Sequence, residues 1–459
     1  MTSPSSSSAA FEHAMPDNIL TRRQLLGQLA ASASAAAAKP NIVLMMADDL
    51  GYECLSCYGS TSYHTPHLDR LAASGIRFTQ AHAQPLCTPT RTQLMTGRYT
   101  FRNWKAFGIL DPNETTFGHH FQRAGYQTCI TGKWQLYSYN PPDFEPEWRG
   151  KGMRPEHAGF HEYCLWHDAH TEDKGSRYAD PTVNTNGRLQ RQLHGQYGED
   201  VFASFAMNFI ERHRHQPFFL YYPMALTHSP FMPTPRSRAW AHGNRLQPSL
   251  DNFKDMVEYM DEVVGRLVAH LERLQLRERT LILFYSDNGT DRQITSRLGN
   301  RLIQGGKGLT TDAGTRVPLI ASWKGVTPPG RVLNDLIDST DFLPTLAAAA
   351  GFRLPSNQLF DGHSFLPQLQ GQRGQPRQWL FWHFDPRPGH DKEPYSLVRF
   401  ARDHHFKLYD DGRLFDLRAD SLEQRPLPAH AHAAVRRKLA AVLARYAVAQ
   451  PGRDSAIPV

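Results

Sequence analysis

The 459-residue chain carries 51 Lys and Arg against 44 Asp and Glu, a formal charge of +7, with 40% apolar residues and five cysteines. At about 150 residues per domain this is enough chain for two or three globular domains, which excludes a mainly disordered or fibrous protein; so few cysteines exclude a disulfide scaffold. No apolar run reaches the roughly 18 residues of a spanning helix, which excludes an integral membrane protein. The positive charge suits an anionic partner such as a sulfated glycan or anionic lipid, and the lack of zinc-finger spacing or an RNA-binding signature argues against nucleic acid.

Taken in chain order, Thr21-Arg22-Arg23-Gln24-Leu25-Leu26 precedes a mildly apolar segment that ends near Ala36-Ala37-Ala38. Paired arginines ahead of a weakly apolar stretch and a small-residue cleavage site resemble a twin-arginine export signal, for which Met15 would be a start of conventional length. The expectation is a leader over residues 1–38, the twin-arginine export machinery as a partner, and a periplasmic or secreted mature protein. Short apolar runs then recur at Asn41 to Ala47, Phe218 to Met224, Thr280 to Tyr285 and Val317 to Trp323. Between them lie helix-compatible segments at Pro66 to Gly75, Thr116 to Gly125, Asp200 to His213 and Asn252 to Leu274. Continuous apolar strands alternating with helices predict an α/β fold, a large, mostly parallel sheet covered by helices on both faces, over residues 39–360.

Residues 137–199 break the rhythm, being rich in Pro, Gly, His, Trp and charge, and read as a long functional or disordered loop. After Pro355 the pattern changes again. Trp379 to Phe384 and Tyr395 to Ala401 read as strands, Asp411-Gly412 as a hairpin turn within His405 to Leu417, and Ala431 to Ala449 as a closing helix. This predicts a smaller α+β subdomain over 361–459, an antiparallel sheet with a packed helix.

Ligands of open parallel sheets gather at the carboxyl ends of strands, and there the chain places Asp48-Asp49 and Ser286-Asp287-Asn288-Gly289. Either pair alone reads equally well as a cap or turn; together, three carboxylates and an amide favour a hard divalent cation, Ca²⁺ or Mg²⁺, over zinc. Arg91, Lys133, His228 and Lys307 fall in other loop positions. A metal among such cations suits an oxygen-rich anion, which makes sulfate or phosphate ester cleavage the leading reaction class.

Cys87-Thr88-Pro89-Thr90-Arg91 resembles the type I sulfatase signature, Cys-x-Pro-x-Arg. The resemblance runs on through Gly97-Arg98-Tyr99, Thr131-Gly132-Lys133-Trp134, Thr227-His228-Ser229-Pro230, Gly306-Lys307-Gly308 and Gly314-Thr315-Arg316-Val317-Pro318. It implies that Cys87 is oxidised to formylglycine by a dedicated generating enzyme, that its hydrated aldehyde attacks sulfur in line, and that a covalent sulfated intermediate collapses to release sulfate. By the same resemblance Asp48, Asp49, Asp287 and Asn288 hold a metal, usually calcium. Arg91 orients the aldehyde, Lys133 and Lys307 contact sulfate, and His228 stands near the leaving oxygen, with His228 or Lys307 as proton donor. One position departs: Lys133-Trp134-Gln135 stands where many sulfatases have Lys-Trp-His, and Gln135 cannot take a proton at neutral pH.

Weaker features are Tyr163, Trp166, His167 and His170, read either as a sugar-stacking platform or as packing, and His383, a candidate to reach the pocket from the C-terminal part. Cys54 and Cys57 read as small buried thiols. The expected substrate is a sulfate ester on a carbohydrate. The alternatives are a phosphodiester or phosphonate monoester hydrolase of the same superfamily and a catalytically silent binder of sulfated glycans.

Overall fold

Strand β1 (Asn41–Ala47) is fully buried, and its alternate residues serve two cores. Val43 and Met45 enter one apolar cluster, while Ile42, Leu44 and Met46 enter another. A strand that is apolar on both faces can sit only in the middle of a sheet covered on both sides. The computed structural model shows this arrangement and describes residues 39–447, so the leader expected over 1–38 and positions 448 and 449 of the expected closing helix lie outside the described residues.

The sheet has ten strands. In chain order they are β1, β2 (Ile76–Ala81), β3 (Gln127–Lys133), β4 (Glu162–Trp166), β5 (Val183–Thr185), β6 (Arg188–Gln190), β7 (Phe218–Pro223) and β8 (Thr280–Ser286). After a separate hairpin, β9 (Thr295–Leu298) and β10 (Arg301–Gln304), follow β11 (Leu319–Trp323) and β12 (Arg331–Ile337). Their order across the sheet is β12-β2-β11-β8-β1-β7-β3-β4-β5-β6. The centre, β8-β1-β7-β3-β4, is parallel throughout, with Ala47 beside Ser286 and Met46 beside Pro223. These registers bring the carboxyl ends of β1, β7 and β8 level with one another. The run ending at Trp323 is an antiparallel strand, paired against both β8 and β2.

Helices α1 (Pro66–Ala73), α2 (Cys87–Thr96), α3 (Phe117–Arg123), α4 (Gly198–Arg212), α5 (Asn252–Arg273) and α6 (Phe342–Ala349) cover the faces. Phe202, Phe209, Met256 and Val263 of α4 and α5 share a core with Val43 and Met45; Leu94, Phe117, Phe121 and Phe342 share the other with Ile42 and Leu44. Asp261 of α5 also ties the layer together, accepting hydrogen bonds from His67 N at 3.0 Å and Leu68 N at 2.7 Å and so satisfying donors in the first turn of α1.

Segment 137–199, expected as a loop, instead extends the sheet with β4, β5 and β6. Two of these strands are only three residues long, and their side chains give no apolar run. A four-stranded antiparallel sheet follows: β13 (Leu380–Phe384), β14 (Val398–Arg402), β15 (Phe406–Tyr409) and β16 (Leu414–Asp416). Asp411-Gly412 turns the last hairpin, and α7 (Ala433–Arg445) packs Leu439 and Val442 against Phe381 and Leu408. The described residues from Pro40 onward belong to one compact unit.

Candidate active site

Four strand ends and one helix build the site. β1 ends in Asp48 and Asp49, β8 in Asp287 and Asn288, β3 in Lys133, and the loop after β7 carries His228. Helix α2 begins at Cys87, so Arg91 lies one turn farther along the same face. All ten residues of α2 are buried, which fixes its N-terminus, the end whose dipole favours an anion, at the sheet edge. Gly132 permits the close approach of β3 to β7: its φ is +121°, and a Cβ there would lie 2.0 Å from the Pro223 carbonyl oxygen.

The carboxylates are buried and individually partnered. Asp48 accepts two hydrogen bonds from Lys133 Nζ, at 2.8 and 3.0 Å, with Arg177 Nη1 at 3.6 Å and Arg91 Nη2 at 3.7 Å. Arg91 donates twice to Asp287 Oδ2, from Nη2 at 2.8 Å and Nε at 3.1 Å. Asp287 Oδ1 accepts from Asp49 N at 3.1 Å. Lys307 Nζ donates to Asp49 Oδ2 at 2.5 Å and lies 2.9 Å from His228 Nε2, while Asn288 Nδ2 reaches Asp49 Oδ1 at 2.8 Å. The Cys87 thiol faces Gln135 Oε1 at 3.6 Å.

Crowding shows in the proton affinities. Burial would raise Asp48, but the charges of Lys133, Arg91 and Arg177 outweigh it and hold its carboxyl far below the usual range. For Asp49 burial prevails over the pull of Lys307, and its pKa rises. Burial and then the charge of Asp48 push Asp287 up to about 7 against the pull of Arg91. Burial, followed by the charge of Lys307, drives His228 well below its ordinary value and keeps its ring neutral. Because a lysine ammonium only donates, His228 Nε2 must accept from Lys307, which leaves the ring proton on Nδ1 to donate to Ser229 O at 2.6 Å. Burial alone would lower the Lys307 pKa, but Asp49 and the other nearby anionic groups raise it, so the proton of this pair resides on the lysine.

The donor set fits a divalent cation. One ligand atom each from Asp48, Asp49 and His228 lie within 4.8 Å of one another. Asn288 Oδ1 is buried with no hydrogen-bond partner among the described residues, an amide oxygen beside Asp49 of the kind a hard ion takes. An ion among these groups would also relieve the repulsion that raises Asp49 and Asp287.

The structure thus brings together Asp48, Asp49, Cys87, Arg91, Lys133, Gln135, His228, Asp287, Asn288 and Lys307. It does not bring Trp166, His167 or His383 to the cleft as binding surfaces. Trp166 is 2% exposed, its ring covered by the Arg177 guanidinium at 4.0 Å, and His167 is 3% exposed and bonded to Thr171. A stacking platform requires an open ring face, so these residues pack instead. His383 lies 5.7 Å from Phe101, whereas its strand neighbour Phe384 points to Cys87, as period-two alternation requires.

Two functional neighbours carry no mark in the sequence. Arg177 reaches Asp48 from the 137–199 segment and is positioned by its stacking on Trp166. Lys392, 8% exposed, comes from the C-terminal part and lies 4.3 Å over the Phe107 ring and 5.3 Å from that of Tyr139, within the aromatic wall around Cys87. Neither sits in a local pattern that would single it out.

The family model described as Sulfatase matches residues 40–352, and that described as N-sulphoglucosamine sulphohydrolase, C-terminal, matches 306–448. Human arylsulfatase A is 36% identical over 394 residues, covering 79% of this chain and 73% of its own. Human N-acetylgalactosamine-6-sulfatase is 30% identical over 387 residues, covering 77% and 70%. The crystal structure of Ps i-CgsB superposes with a TM-score of 0.73 at 25% identity, over 90% of this chain and 93% of that one.

Proposed function

Because the chain belongs to the sulfatase family and is a sulfuric ester hydrolase, we propose that it removes a sulfate ester from a carbohydrate. In this reading residue 87 acts as formylglycine, beside calcium, or magnesium in its place, held by Asp48, Asp49, Asp287 and Asn288. The supporting observation is the convergence of these four oxygen-bearing groups with Arg91, Lys133 and Lys307 around the N-terminus of α2. The carbohydrate rests on the positive charge of the chain and on the name of the N-acetylgalactosamine-6-sulfatase relative.

The modified residue would supply a hydroxyl nucleophile through its hydrated aldehyde, and the ion would neutralise charge on the ester oxygens. The remaining work falls to the chain's own side chains. Arg91, held by Asp287, orients residue 87 from one turn below. Lys133 and Lys307 stand on either side of the carboxylate edge as sulfate-binding cations. Lys307 carries the proton of its pair with His228 and is the donor to the leaving oxygen, with His228 Nε2 positioned to hold that ammonium. Gln135 accepts from residue 87 but takes no proton, so deprotonation there is the slow part of the cycle. The 137–139 and 384–395 segments wall the substrate entrance with aromatic rings and Lys392.

Kinetics on matched sulfate, phosphodiester and phosphonate monoester substrates test the reaction, and higher turnover of a phosphorus ester would refute it. Tight binding of a sulfated glycan without sulfate release, by protein that contains the aldehyde, would identify a silent binder instead. A sulfated sugar should outperform an aryl sulfate in kcat/KM if the substrate is a carbohydrate. Export through the twin-arginine machinery, with the formylglycine-generating enzyme acting in the cytoplasm before folding, completes the proposal. Cell fractionation after replacement of Arg22 and Arg23 by lysine should show the protein retained inside.

A further inference from the structure

A cavity of about 650 Å³ opens where β2 and β12 meet the C-terminal sheet. Its lining includes Arg301, Arg316, Arg402 and Arg418 but a single carboxylate, Asp312. That carboxylate is already committed, since Arg402 Nη1 donates to Asp312 Oδ1 at 2.6 Å. The other three arginines enter no ion pair among the described residues. Arg316 is nevertheless held in place: its Nε donates to Thr79 O at 2.8 Å and its guanidinium lies 4.1 Å over the Tyr52 ring. Both of its Nη groups are left without a hydrogen-bond partner among the described residues. His405 Nδ1, also in this lining, is buried without a hydrogen-bond partner among the described residues.

Uncompensated guanidinium groups around one cavity repel one another, and their planar forks match the oxygens of sulfate. The positive field reaches the interior. His82, buried behind the cavity, has its pKa held well below the ordinary value first by burial and then by Arg402, Arg316, Lys407 and His404. The cavity also adjoins the catalytic edge along the chain: Tyr52 follows Asp49 by three residues, and Asp312 and Arg316 close the loop that carries Lys307.

We propose that this cavity binds a second sulfate group, carried on the same glycan as the sulfate that is cleaved, so that the natural substrate is a multiply sulfated oligosaccharide. The inference rests on the carbohydrate sulfatase reading of the catalytic edge and assigns to that substrate a contact the reading does not contain. None of the cavity arginines belongs to the catalytic constellation.

The test uses the full-length activated enzyme, the surface double variant Arg301→Glu/Arg418→Glu and, separately, Arg316→Gln. Calorimetry is run with a defined, multiply sulfated tetrasaccharide and with inorganic sulfate, and kinetics with the tetrasaccharide and 4-nitrocatechol sulfate. The expected result is a loss of about tenfold or more in tetrasaccharide affinity and a matching rise in KM, which shrinks at high salt. Turnover of the aryl ester should stay at the wild-type value. Equal effects on both substrates, or unchanged tetrasaccharide binding in the double variant, would overturn the proposal. If inorganic sulfate alone binds the cavity as tightly as the tetrasaccharide does, the cavity holds an adventitious ion only and the proposal fails. Should the wild type cleave no sulfate ester, the catalytic reading fails while calorimetry still reports on the cavity.

Discussion

Replacing Arg91 by methionine removes the group that compensates Asp287. In the intact protein that carboxylate is fully buried and takes two hydrogen bonds from Arg91, at 2.8 and 3.1 Å, leaving Asp49 N–H at 3.1 Å as its other donor. Asp48 adds a second negative charge at the same edge. Removing one partner of such a buried pair costs about 3–5 kcal/mol, because the carboxylate left behind must either stay charged without compensation or take up a proton. At roughly 1 °C per kcal/mol for a chain of this size, the midpoint of thermal unfolding should fall by about 3–5 °C. Melts should be run in chelator, so that protein groups alone compensate the carboxylates. Asp287→Asn placed in the Arg91→Met background should recover roughly 2 kcal/mol, and because Asp287→Asn alone strands Arg91 the coupling in the double-mutant cycle should be at least that large, while both variants stay inactive. A single variant within about 1 kcal/mol of wild type would mean that Asp287 is not held by Arg91, and the electrostatic account of the edge would fail.

Other outcomes follow from the same geometry. Gln135→His places a titratable ring beside residue 87 on a backbone at φ +55°, a conformation histidine tolerates, and kcat should rise by about tenfold or more; a drop would show that Gln135 serves another step. Saturating calcium at about 100 times Kd should stabilise the protein by roughly 2.7 kcal/mol, read as a shift in unfolding midpoint that Asp49→Asn abolishes. Glu199, whose pKa burial raises to about 7, accepts from Tyr222 Oη, Ala225 N and Leu226 N behind the His228 loop. A pKa raised in the folded state gives stability that is full below the usual value of 4.5 and lost as pH climbs through 7, roughly 3 kcal/mol in all, so Glu199→Gln should flatten urea-derived stability between pH 5 and 8.

What the chain discloses about its fold depends on how each element is buried. β1 and β8 are buried on both faces, so every residue is constrained toward apolarity and the runs stand out; the carboxylates that follow them are conspicuous for the same reason. β2, Ile-Arg-Phe-Thr-Gln-Ala, pairs with β12 and β11 near the sheet edge and is half covered, so its mixed pattern hides it. Nothing in Val317 to Trp323 encodes direction: both parallel and antiparallel buried strands read as apolar runs, and only the connections set β11 against its neighbours. The motif residues were legible because each sits next to a strand end or helix start. Arg177 and Lys392 were not, because their positions depend on Trp166 and Phe107, which no local pattern ties to them. Trp166 and His167 misled in the opposite sense, since aromatic residues in a polar segment look exposed until a strand is found beneath them.

The chemistry assigned to residue 87 can be weighed directly. Trypsin cleavage after Arg77 and Arg91 frees the peptide Phe78 to Arg91, in which Cys87 is the sole cysteine. Mass spectrometry of that peptide from protein made alongside a formylglycine-generating enzyme should show the loss expected when the thiol gives way to an aldehyde, in proportion to specific activity across preparations. A fully active preparation in which the peptide carries an intact thiol would contradict the account.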